Sequence, residues 1–210
     1  MYMYMSITIC IFIFMNMYIY IGNEQKRCGL DKPSDETAAR IRDLIQAVIE
    51  KSASLATSKD IKDIKKSIQG KWKLLYTNSE MFDFYNGVTG FSNVFPSTKF
   101  QEVFCEYVSD GYLNEVKYYE NFNTPLGNLN SIVYGNYDIL KEMSFMTNLN
   151  SIVLRNYCTK VTAGPMTYEA QENWKSLRTF SMNEVVYIDD KIKITRNCGA
   201  LRIYFLYAKC

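Results

Sequence analysis

The chain has 210 residues, room for one domain of about 150 to 180 residues plus a targeting segment and too little for two comfortable domains. Lys and Arg number 24 against 22 Asp and Glu, a net charge of +2, and no stretch gathers enough basic residues for a phosphate-binding face, which argues against a nucleic-acid partner. Histidine is absent, and with it the side chain that most often serves as general base, metal ligand or activator of a nucleophile near neutral pH.

Met1 to Gly22 (MYMYMSITICIFIFMNMYIYIG) is an apolar leader without a charged side chain, followed by Glu24, Lys26 and Arg27. About 20 apolar residues cross a bilayer as a helix, so its length suits a secretory signal peptide or a membrane anchor. Ser6, Thr8 and Asn16 interrupt it and no basic residue precedes it. A cleaved signal is the preferred reading, with an anchor and a mispredicted start codon as alternatives. Residues 1–30 are assigned to this leader, 31–69 to a helical segment and 70–210 to a β-barrel domain.

From Asp35 to Lys51 the apolar residues Ala38, Ile41, Leu44, Ile45, Val48 and Ile49 recur at spacings of three and four, predicting a helix with one buried stripe. Ser34 supplies an N-cap, and Asp35 and Glu36 favour the first turn. Ile61, Ile64 and Ile68 predict a second short helix ending at Gly70. Beyond Gly70 the chain turns to short runs of β-branched and aromatic residues separated by Gly, Asn, Asp and Pro, the pattern of an up-and-down meander. Strands are expected near 71–78, 99–108, 112–121, 130–138, 142–147, 151–161, 183–188, 191–196 and 201–208, enough for a mainly β, lipocalin-like antiparallel barrel of eight or nine strands with flanking helices. Ser79 to Ser97 is too broken by glycine for a strand and suits a short helix and flap at a barrel mouth; Ala163 to Phe180 reads as a second irregular insertion. Asn128 to Tyr137 (NLNSIVxxNY) recurs as Asn148 to Tyr157, read as two strands running in the same direction.

Side chains alternate along a strand, so Trp72, Leu74 and Tyr76 share a face that the tryptophan marks as the interior. Val185 to Arg196 reads as a hairpin turning at Asp189 and Asp190. Ile192, Ile194 and Arg196 then share the apolar, inward face, opposite Lys191, Lys193 and Thr195. A guanidinium there needs a platform, and Trp72 is the obvious one, so Gly70, Trp72 and Arg196 are expected to close the barrel. The interior is expected to be lined by Trp72, Leu74, Tyr76, Ile192, Ile194, Leu201, Ile203 and Phe205.

A Gly-x-Trp on the first strand with an Arg near the last resembles the base of lipocalin-like barrels. More specifically, Ile68-Gln-Gly-Lys-Trp-Lys-Leu-Leu-Tyr-Thr-Asn-Ser79 and Val186-Tyr-Ile-Asp-Asp-Lys-Ile-Lys-Ile-Thr-Arg-Asn-Cys-Gly199 resemble the two signature ends of the plastid lipid-associated proteins, or plastid fibrillins. The resemblance spans roughly residues 38 to 208 and is loose between 98 and 180. Asn78, Lys193 and Cys198 depart from residues usual in that family. It implies a plastid protein that binds or coats lipids, quinones or carotenoids.

Three readings of function compete. In the first, the barrel carries a lipid or isoprenoid ligand in its interior, without catalysis and without a cofactor. In the second, the barrel is filled and the outer surface coats a membrane or lipid globule. The third, an enzyme acting on an apolar plastid metabolite, ranks last. Asp189 and Asp190 point to opposite faces of an exposed turn, and no cysteine has a histidine partner. The six cysteines, at 10, 28, 105, 158, 198 and 210, form no Cys-x-x-Cys pair and are expected to be mostly buried free thiols. Together, leader and resemblance point to a plastid reached through the secretory pathway, or to a membrane-anchored protein if the leader is retained.

Overall fold

The computed structural model describes residues 34–56, 60–85, 87–89, 97–125, 127–140, 151–163, 165–171, 180–198 and 202–210. The leader and the expected strand at 142–147 lie outside the described residues. Among those described, no helix is long and apolar enough to cross a membrane, which says nothing of β-barrels.

Two helices precede the sheet: α1 (Asp35–Ala56) and α2 (Ile61–Ile68). Ser34 caps α1 as expected, its Oγ accepting from the Thr37 amide at 3.2 Å. Then come β1 (Gly70–Thr77), the short α3 (Glu80–Tyr85) where a helix-bearing flap was expected, β2 (Lys99–Ser109), β3 (Asn114–Thr124), β4 (Gly127–Leu140), β5 (Ser151–Ala163), β6 (Met166–Gln171), β7 (Phe180–Ile188), β8 (Ile192–Asn197) and β9 (Tyr204–Lys209). All pairings are antiparallel, in the order β4-β3-β2-β1-β9-β8-β7-β5-β6, and β4 also pairs with β5. Eight strands thus close into a ring, the lipocalin-like barrel that the meander pattern predicts.

Two expectations fail here. The 163–180 insertion contains β6, which pairs with residues 158–163 of β5, while β7 takes residues 151–155 of the same strand. The repeated segments do not run in the same direction: β4 and β5 are antiparallel neighbours, with Asn136 opposite Arg155. The shared pattern reflects alternation on two adjacent strands that each bury one face.

The apolar residues gather into two clusters. One fills the barrel and includes Trp72, Leu74, Phe100, Val103, Tyr107, Val116, Phe122, Tyr137, Ile152 and Tyr207; Ile64 and Ile68 of α2 plug its base. The other lies outside the barrel wall, where Ile41, Ile45 and Val48 of α1 meet Tyr76, Val186, Ile194, Tyr204 and Leu206. The strands β1, β7, β8 and β9 therefore bury both faces. Bulges help: an extra residue between Leu74 and Tyr76, and another between Val185 and Tyr187, reverse the facing of the residues beyond them.

Candidate binding site in the barrel interior

The base of the barrel is built first. Gly70 has φ of 104°, a left-handed conformation that favours glycine, and a Cβ there would sit 3.3 Å from Lys209 Cε. The turn of chain it permits brings α2 beneath the barrel, so that the fully buried Trp72 donates from Nε1 to the Ile68 carbonyl at 2.7 Å. Lys209 at the end of β9 lays Nζ 5.1 Å from the Trp72 ring centroid.

Above this base sits a buried lysine. Lys193 is 0 % exposed. Its Nζ lies 4.1 Å from the Tyr207 ring centroid, 4.2 Å from that of Tyr107 and 5.3 Å from that of Trp72. Among the described residues Nζ finds no hydrogen-bond acceptor. Burial pulls its pKa down to about 8, opposed by the neighbouring Cys105 thiol. Burial likewise pushes the Cys105 thiol and the Tyr107, Tyr118 and Tyr207 phenols above their ordinary values, so the lysine is ringed by groups that stay protonated.

Higher still is a cavity of about 250 Å³. Leu74, Val103, Tyr118, Phe205 and Tyr207 line it from the barrel wall, and Ser79, Phe82, Gly87 and Val88 from the flap; Asn156, Ser181, Asn183 and Asn197 make its polar side. The flap is tied down by Glu120, a fully buried carboxyl on the inward face of β3. It accepts from the Val88 amide and the Thr89 hydroxyl, and from the Thr89 amide at 3.2 Å. Burial raises the Glu120 pKa, and these donors only partly offset it. Gly87 is required where it stands: its φ is 132°, and a Cβ would fall 2.5 Å from Glu120 Oε1.

The predicted site residues divide between the two faces. Trp72, Leu74 and Phe205 belong to the interior, whereas Tyr76 and Ile194, with Ile192 beside them, lie in the outer cluster under α1. Ile203 precedes β9, its carbonyl accepting from the Asn197 amide at 2.9 Å; Leu201 lies outside the described residues. The expected meeting of Arg196 with Trp72 does not occur. Arg196 is on the outer side, opposite Tyr204 on β9 and Glu184 on β7, and its Nε and Nη2 donate to Glu184 Oε2 at 2.8 and 2.6 Å. Burial works against the guanidinium's charge, but Glu184 outweighs it and the Arg196 pKa rises. The cations that cover Trp72 are instead Lys193, expected on the outward face, and Lys209. The facing expected for β8 is reversed because its apolar residues mark the side covered by α1 and not the interior.

Asp189 and Asp190 stand at the β7–β8 turn as expected, where Asp189 Oδ1 accepts from the Lys191 and Ile192 amides at 2.7 and 2.6 Å. Cys105, Cys158, Cys198 and Cys210 are free thiols, the first two buried; Cys10 and Cys28 lie outside the described residues. Sequence reasoning misses both Glu120 and Lys193. For Glu120 a signal exists, a lone carboxyl sharing strand parity with Val116, Tyr118 and Phe122. Lys193 has none within its own strand.

Fold and interior together define an antiparallel β-barrel with a plugged base, a flap over its other end and a cavity beneath the flap. Compared with models of known protein families and with curated proteins, the sequence matches none.

Proposed function

We propose that this protein is a non-catalytic carrier that holds one apolar molecule inside its barrel. The observation that carries this reading is the cavity of about 250 Å³ beneath the flap, walled by Leu74, Phe82, Val103, Phe205 and Tyr207 with a polar rim on one side. Eight-stranded barrels have room for packed side chains or one small ligand, and an apolar pocket with a few convergent polar groups is the usual form of a ligand site. The resemblance of the Ile68 to Ser79 and Val186 to Gly199 segments to those of plastid lipid-associated proteins supports a lipid or isoprenoid as ligand and a plastid as location. Extraction of the purified full-length chain with organic solvent is expected to release one such molecule per chain, read by mass spectrometry. A chain that yields none and takes up no apolar probe sinks the carrier reading.

The second reading, a coat on a membrane or lipid globule, is favoured by apolar side chains left in solvent: Tyr112 and Leu113 on the β2–β3 turn, and Met166 and Tyr168 on β6. Binding to lipid droplets by a chain with an empty interior would favour it over the carrier.

A further inference from the structure

We propose that the barrel's ligand is a single-chain carboxylic acid, with its tail in the cavity and its carboxylate on Lys193. This rests on the carrier reading and narrows it from apolar molecules at large to acids.

Among the described residues, Lys193 Nζ lacks a hydrogen-bond acceptor. An ammonium withdrawn from water loses its hydration, and charge and hydrogen bonds must replace it. Lys193 Nζ has ring faces around it, which attract a cation but make up only part of that loss, and among the described residues none of its three protons has an acceptor. What the site lacks is an anion with acceptor oxygens.

The two buried carboxyls among the described residues are engaged elsewhere. Glu120, on the inward face, is held by the flap through Val88 and Thr89, and Glu184 is on the outer face with Arg196. Among the described residues, Cys105 and Tyr107 of β2 and Tyr207 of β9 stand around the amine, with Tyr118 of β3 beside Cys105 and Lys209 of β9 over the same indole. Burial keeps the thiol and the three phenols protonated, and Lys209 adds a second positive charge at the same Trp72 ring.

Position and size point the same way. Lys193 does not itself line the cavity, but Tyr207 does and its ring centroid lies 4.1 Å from Nζ, so this ring stands beside both the amine and the cavity. A lysine's flexible stem with its rotatable donors can lift the charge to a head group there. The volume, about 250 Å³, falls below the range of roughly 300–1,000 Å³ usual for ligand pockets, which suits one slender chain.

The test is calorimetric titration of the full-length chain with dodecanoic acid and with dodecanol. Near pH 7 the acid is expected to bind roughly tenfold more tightly, the worth of a charge-assisted hydrogen bond. Lys193→Met should erase that preference while dodecanol still binds. In the wild type the preference should also shrink at about pH 10, where the empty-site amine is neutral and binding the acid requires proton uptake. Equal affinities for acid and alcohol in the wild type would overturn the proposal, as would a preference that survives Lys193→Met. If the variant fails to fold, the pH series decides alone: a preference unchanged at about pH 10 overturns it. Failure of both probes to bind would bring down the carrier reading as well, whereas alcohol binding without acid preference removes this proposal only.

Discussion

The two apolar clusters occupy opposite sides of the same strands and differ in what they leave undone. On the outside, Ile41, Ile45 and Val48 of α1 lie against Val186, Ile194 and Leu206, and the one buried carboxylate there, Glu184, has its arginine. Each such aliphatic side chain contributes about 1.5–3 kcal/mol by leaving water. Inside, the side chains are more aromatic, and a lysine without an acceptor among the described residues and a carboxyl bound to a flap lie among them. The outer cluster holds the fold. The inner one sacrifices stability at Lys193, the pattern of a site kept for something other than cohesion.

Four substitutions would break or sharpen that contrast. The largest effect is expected at Trp72. Trp72→Ala should cost about 3–5 kcal/mol in urea denaturation, from the cavity it leaves and the lost bond to Ile68. Arg196→Ala should destabilise by about 2–3 kcal/mol, because it strands the buried Glu184. Lying on opposite faces with no shared partner, the two should add to within about 0.5 kcal/mol; strong coupling would mean that Arg196 reaches the interior after all.

Next in size is Lys193→Met, expected to stabilise the ligand-free protein by about 1–3 kcal/mol, as replacement of a buried charge by an apolar side chain often does. The folded-state pKa, about 8, lies below the ordinary 10.5, so between those values the unfolded chain binds more protons and the wild type gains stability as pH rises. The advantage of the variant is therefore greatest below about pH 8 and fades toward pH 10.5. A destabilised variant would show that the cation holds the rings together.

The smallest effect belongs to Glu120→Gln. Because the folded-state pKa of Glu120 is raised, the wild type loses stability as pH rises from the ordinary carboxyl range through that higher value. The glutamine keeps an acceptor for the Val88 and Thr89 amides, should alter stability by under about 1 kcal/mol near pH 5, and should flatten the slope. An unchanged slope would place the titration on another group.

Much of this molecule is legible in local pattern. The α1 stripe, the start of β1 at Gly70, the turn at Asp189 and the tryptophan at the barrel base all come from periodicity and turn chemistry, which act over a few residues. β6 escaped because its run of six residues, MTYEAQ, has little apolar alternation and four exposed side chains. The cavity escaped because its walls come from strands far apart in the chain.

What the sequence determined by itself is which stripes of apolar residues are buried, since apolar alternation reports loss of water whatever the covering surface. What only the tertiary structure decided is the side on which they are buried. With α1 laid over β7, β8 and β9, an apolar face can point out as well as in, and a single bulged residue in β1 or β7 exchanges the two. That is why Ile194 and Arg196 face the helix side, and why Lys193, on the opposite face of the same strand, closes over Trp72 from within.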